Sequence, residues 1–173
     1  MNVSKLDAAR SQLLTAIRLY FADADPVSTH TLAAAALEIL RDLDDHGPKT
    51  GTIFDRLDRY VLPEHIETVR KAFRDPQGFF KHADRNPDGI LEYYPSHALA
   101  LLWCAAEKYI ELAKETPLEA AAVQWWITIH EPEILWPPYR EQVKGFGLDK
   151  DFPPERRPDF FNVFSAAYTR SGG

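Results

Sequence analysis

Cysteine is almost missing from this chain. Cys104 is the only one in 173 residues, so neither an intramolecular disulfide framework nor a cysteine-built zinc cluster can form. It lies in the apolar run from Ala98 to Ala106, where a thiol reads as a small buried hydrophobe; a nucleophile needs an accessible, electropositive setting. Long apolar runs are lacking too, the longest extending to about ten residues against the ~20 of a spanning helix. Met1 to Arg10 is polar and lacks the apolar core and small-residue cleavage site of a secretory leader. These absences point to a soluble cytoplasmic protein with no membrane segment. No glycine-rich phosphate loop, G-x-S-x-G elbow or dinucleotide fingerprint is present. Positive charge is in deficit as well. The 20 basic and 26 acidic side chains leave a formal charge of −6, which opposes attraction to phosphate backbones and anionic membranes, so nucleic-acid binding is not expected. The most basic stretch, Arg56 to Arg85, reads as a solvated face.

What is present is apolar and aromatic material in helical order. Hydrophobic residues make up 45% of the chain and charged residues 27%, the balance of a packed domain rather than of a chain too polar to fold. A single domain of this length buries roughly 70% of the surface its unfolded form exposes. Ser4 and Asp7 form a capping-box pattern, after which Leu6, Ala9, Leu13, Ala16, Ile17 and Tyr20 recur at helical spacing to about Phe21. Asp25 is placed to cap a second helix with Pro26 at its first position; Leu32, Ala33, Ala36, Leu37, Leu40 and Leu43 form its stripe, and Gly47-Pro48 ends it. The pattern predicts a short helix over 52–60 and another from Pro63 to about Phe73, with Ile66, Val69, Arg70 and Phe73 on one side. Phe79 to Ala83 reads as a separate turn entering the polar loop Asp84 to Gly89.

Pro95 opens a helix that is apolar all round from Ala98 to Ala106, the pattern of a central helix packed on several sides. Thr116 and Glu119 suggest a second capping box, before a helix that carries Trp125 and Trp126 and ends near His130. Pro132, Pro137, Pro138, Pro153 and Pro154 forbid long elements between residues 131 and 157, apart from one or two turns over 139–144. Trp136, Phe146 and Phe152 predict that this segment is packed down on the helices. Pro158 opens a last helix to about Tyr168, and 171–173 reads as a frayed tail. The expected fold is all-α: one domain over 1–173, a compact bundle of about five to seven helices with a proline-rich wrapping segment near the C-terminus.

Several constellations invite chemistry. Asp84, Asn86, Asp88 and Gly89 imitate the first half of a calcium loop, but its twelfth position, which requires a bidentate glutamate, is Pro95; the segment reads as Asx-Pro and Asp-Gly turns. No two of the six histidines (His30, His46, His65, His82, His97, His130) have the H-x-x-x-H spacing that sets two imidazoles on one helical face. His130, followed by Glu131 and Glu133, sits where a helix dipole favours an imidazolium. His30 precedes Ala33 by three residues and Leu37 by seven, which places it on the inner edge of the second helix. His82 and Asp84 lie between the paired phenylalanines and a turn, and are expected to point inward. Trp103 and Trp125 read as buried core, with a ligand pocket or a dimer interface as their further uses. The candidate ligand-binding residues are thus His30, His82, Asp84, Trp103 and Trp125. No catalytic residue, metal or cofactor follows from the residues.

Ala16 to Leu43 and the segment Phe79 to Asp88 (FFKHADRNPD) resemble a family of short bacterial helical proteins. That resemblance implies a compact helical fold in the bacterial cytosol and brings no catalytic residues with it. The helix, polar break and alanine-rich second helix from Leu6 to Leu43 are similar to the HEPN superfamily of helical bundles, whose ribonuclease members carry an Arg, four to six residues, then a His. Arg41 to His46 and Arg59 to His65 have that spacing, although roughly one such pair arises by chance in a chain of this composition. The expected function is a helical binding or interaction protein, a homodimer with a small molecule or protein as partner. The alternatives are a small-molecule or metal-assisted enzyme using His30, His82 and Asp84, and a HEPN-like ribonuclease.

Overall fold

Ser4 starts the first helix. Its Oγ accepts the Asp7 N–H at 3.1 Å while the Asp7 carboxylate accepts the Ser4 N–H at 3.1 Å, a reciprocal cap of the kind worth about 1 kcal/mol. The computed structural model describes residues 1–44, 63–82, 84–131 and 148–170, apart from the side chains of His65, Thr68, Val69, Ala72 and Leu148. It is all-α, with no strand among these residues. Its helices are α1 (Lys5–Phe21), α2 (Pro26–Asp44), α3 (Pro63–Lys81), α4 (Ser96–Ala113), α5 (Leu118–His130), the single turn α6 (Leu148–Asp151) and α7 (Arg157–Arg170), the last preceded by a 3-10 turn over Pro154–Arg156. None of them is long and apolar enough to cross a membrane. The helix expected over 52–60, the turns over 139–144, Trp136, Phe146 and the tail over 171–173 lie outside the described residues.

α2 begins as its sequence requires. Pro26 occupies the first position, and the Asp25 carboxylate accepts the Ser28 N–H at 2.7 Å. α1 and α2 pack as a hairpin, and both bury small residues, Ala9 and Ala16 of α1 and Ala33 and Ala36 of α2, all fully buried. Small side chains let two helix axes approach closely. α4 is the central element. It touches α1, α2, α3 and α5, which is why the stretch from Ala98 to Ala106 has no polar face. At its far end Lys108 is buried, donating to Asp44 of α2 at 3.0 Å and to Glu111 at 2.9 Å. Burial pulls its ammonium down, but the hydrogen bonds to Glu111 and Asp44 outweigh burial and hold the group above its ordinary value.

Three expectations are corrected. α3 does not stop at Phe73 with a separate turn following; it runs through Pro76 to Lys81 as one helix. Pro76 removes one helical N–H and leaves the Ala72 carbonyl without its usual donor, a local cost the helix sustains because Pro76 itself is buried and Phe73 is anchored against the core. The second capping box does not form. α5 starts at Leu118 with Pro117 as an extended, uncapped entry residue, and Glu119 turns instead to Arg18 of α1, accepting from Nε at 2.8 Å. Finally, Trp125 is 47% exposed, whereas its neighbour Trp126 is 2% exposed and donates from Nε1 to the Tyr20 hydroxyl at 3.1 Å.

Candidate functional site

The inward placement of His30 is observed: the residue is 0% exposed. Its ring meets Phe80 of α3 edge-on at 5.6 Å and Tyr93 at 5.5 Å, and those two rings contact each other at 5.3 Å. Neither ring nitrogen completes a hydrogen bond. His97, at the start of α4, lies beside the same chamber between Phe73 at 5.8 Å and Tyr94 at 5.6 Å, with its Nδ1 also buried and unbonded. Burial depresses His30 to about 4, and His97 adds to the effect; the Phe73 carbonyl, which approaches the ring without completing a hydrogen bond, opposes it. His30 is therefore a neutral imidazole at neutral pH. Burial pushes the Tyr93 phenol up to about 12, with Asp25 contributing. The Tyr93 hydroxyl donates to the Pro26 carbonyl at 3.4 Å, which fastens the segment before α4 over the start of α2.

One turn further along, α2, α3 and α4 diverge and leave a groove of about 590 Å³. Its floor is apolar: Ala34 and Leu37 of α2, Phe73 of α3 and Leu101 of α4. Its rim carries Glu38 and Arg41 of α2 with Arg70, Arg74 and Gln77 of α3. Glu38 accepts from Gln77 Nε2 at 3.1 Å and pairs with Lys81 at 3.7 Å. Arg74 pairs with Glu67 at 3.1 Å, both side chains being well exposed. Ala34 follows His30 by four residues and Leu101 follows His97 by four, so the histidine chamber and the groove are successive turns of the same two helices. Phe73 belongs to both, as a wall between them.

The other expected residues are elsewhere. His82 and Asp84 do not point inward: their side chains are 44% and 81% exposed, with Nδ1 and Oδ1 4.0 Å apart. The reason is that α3 ends at Lys81 and the chain leaves the bundle there, entering a turn in which the Gly89 N–H donates to the Asn86 carbonyl at 3.1 Å. A side chain on Gly89 would overlap that of Asn86, so the residues that imitate a calcium loop build a tight turn. Among the described residues no group of three or more His, Cys, Asp and Glu side chains is arranged to hold a metal ion. Trp103 is partly buried against the core and Trp125 is at the surface; neither lines the groove. Cys104 is a buried thiol, as its apolar neighbours imply.

His130 corrects a further expectation. Its ring lies 4.0 Å from that of Trp126, and burial holds its pKa below the ordinary value, against the opposing effects of the Phe152 carbonyl, Asp149 and Glu131. Desolvation outweighs the helix dipole at this position. Glu133, His46, Arg59 and the side chain of His65 lie outside the described residues, and with them both Arg-to-His spacings. The residues that sequence reasoning missed are the groove arginines. Arg70 and Phe73 were legible as one side of α3, but the arrival of Arg41 from α2 is a product of tertiary packing and leaves no local signal.

No protein-family model, no curated protein and no solved structure matches the chain.

Proposed function

We propose that this is a cytoplasmic helical binding protein that takes a small molecule in the groove between α2, α3 and α4. The observation that supports the reading most directly is the groove itself, about 590 Å³ with an apolar floor and a polar rim, within the range of ~300–1,000 Å³ typical of small-ligand sites. Its walls are long helices, which hold binding groups more precisely than loops do. The enzyme reading built on His30, His82 and Asp84 finds less support, because His30 is enclosed among aromatic rings while the other two face solvent.

Leucine-methyl NMR of the full chain, titrated with phenol as a small apolar probe, tests the groove. The Leu37 and Leu101 methyls are expected to shift together and saturably, and Leu37→Trp, which fills the floor, is expected to abolish the response. If those methyls do not move while leucines distant from the groove do, the proposal is wrong.

A further inference from the structure

Resting on that reading of the groove, we infer that its ligand is a small organic anion: an apolar, preferably flat body bearing a phosphate or comparable anionic head, with the head held by Arg41, Arg70 and Arg74. The charge distribution points this way. In a chain with a formal charge of −6, three guanidiniums line a single groove in which Glu38, the one acidic lining residue among the described residues, is already engaged by Gln77 and Lys81. Arg70 and Arg74 are one turn apart on α3, a like-charge spacing that is mildly unfavourable in an isolated helix and that a bound anion relieves.

Arginine chemistry narrows the head. The planar fork of a guanidinium matches carboxylate and phosphate oxygens in bidentate fashion, and three forks lining one groove suit a head with three acceptor oxygens better than one with two. Arg74 pairs with Glu67, but the side chains of that pair are 63% and 59% exposed; solvated pairs of this kind contribute little and exchange readily for a ligand. The floor narrows the body. Leu37, Ala34 and Leu101 are buried beneath the rim and Phe73 offers a ring, so an inorganic anion engages the rim alone and leaves the floor unused. A polyanion the length of a nucleic acid would have to approach a surface of net negative charge, which disfavours it at any distance beyond the groove.

Isothermal titration of the full-length protein with phenyl phosphate, phenol and inorganic phosphate tests this, with the Leu37 and Leu101 methyl shifts followed in parallel. Phenyl phosphate is expected to bind at least tenfold more tightly than either fragment, and to weaken as salt is raised from about 0.05 to about 0.5 M because exposed charges are screened. Arg70→Met and Arg74→Met, whose circular dichroism should match that of the parent, are each expected to weaken phenyl phosphate about tenfold and leave phenol unchanged. Arg74→Lys, which keeps the charge but loses the fork, should fall between. Phenol that shifts the methyls and binds as tightly as phenyl phosphate would overturn the anionic head and leave the groove reading standing. Inorganic phosphate that binds as tightly as phenyl phosphate without moving the methyls would reduce the arginines to a surface ion site and overturn the inference. If no probe moves the methyls, the groove reading fails and this inference goes with it. An acidic peptide that outcompetes phenyl phosphate would overturn the small-molecule assignment.

Discussion

At the scale of single residues, His30 is the side chain whose environment departs most from its solution chemistry. An imidazole with an ordinary pKa of 6.5 is held near 4 by burial and by His97, and the carboxylate that reaches the chamber electrostatically, Asp25, acts on Tyr93. The groups packed about it are Phe80 and Phe73 of α3, Tyr93 and Tyr94 of the connecting segment, and His97 of α4. Since the folded state binds the proton more weakly than the unfolded state, stability from the neutral form is complete above pH 6.5 and is lost as pH falls toward 4. The full shift corresponds to about 3 kcal/mol. His130, also depressed by burial, acts in the same direction, while exposed carboxylates such as Asp7 and Asp25, held below their ordinary range by hydrogen bonds from Ser4 and Ser28, lose their contribution at lower pH. Urea titrations between pH 7 and 4.5 should therefore show falling stability in the parent and a much flatter profile in His30→Met, which gives up no hydrogen bond because the imidazole makes none. Equal slopes in the two proteins would refute this account of the chamber.

At the scale of helices, the starts and faces of α1 and α2 were legible in the sequence because their causes are local: Ser4 with Asp7, Asp25 with Pro26, and apolar residues at a period of 3.6. α3 was not, because Pro76 breaks a local rule and only the packing of Phe73 and Pro76 explains why the helix continues. The tryptophans show the same limit. Residues 125 and 126 both fit the spacing from Ala122 to Ile129, and only the partners available in three dimensions, Tyr20, Phe21 and Phe160, decide that Trp126 is the buried one. Among the described residues, α3 is also the least anchored of the long helices. Phe73 packs against the main core, Pro76 is buried and Phe80 meets the His30 ring, while the links from α3 to Glu38 run along the surface. Native-state hydrogen exchange should accordingly find the amides of residues 70–80 opening at lower free energy than those of α1, α2 and α4. Saturating phenyl phosphate should slow them, because the ligand bridges α3 to α2. Protection in α3 equal to that of α4 would show that Phe73 and the pairs at Glu38 hold the helix more firmly than its contacts imply.

At the scale of the whole molecule, the candidate site was the least legible feature, since Arg41 and Arg70 are far apart in the chain and meet only because α2 and α3 both pack toward α4. The inward placement expected of His82 and Asp84 is not observed, for the complementary reason: adjacency to a helix end does not say whether the chain turns in or out. The composition of 131–157 pointed to a segment packed on the helices, and Phe152, the aromatic of that expectation among the described residues, lies against the core. Phe160 and Phe161 of α7 continue the core, with Phe160 stacked on Phe21 of α1 at 5.8 Å, 5.0 Å from Trp126 of α5 and 5.6 Å from Phe152. Phe161 stacks on Phe21 at 4.8 Å, and Arg157 pairs with Asp23 and lies 4.5 Å over the Tyr20 ring. Phe160 is the only fully buried residue of α7, so α7, α5 and α1 share one aromatic junction through it. Phe160→Ala should cost about 3 to 5 kcal/mol, as large deletions from packed cores do, and lower the melting temperature by about ten degrees for a chain of this size. Because the junction joins the last helix to the first, loss should be felt everywhere at once: far-UV circular dichroism and tryptophan fluorescence should report one coincident transition in both parent and variant. A variant that melts in two steps, with α7 released first and the fluorescence of Trp126 changing ahead of the helical signal, would show that the C-terminal helix is an appendage and not part of the cooperative bundle.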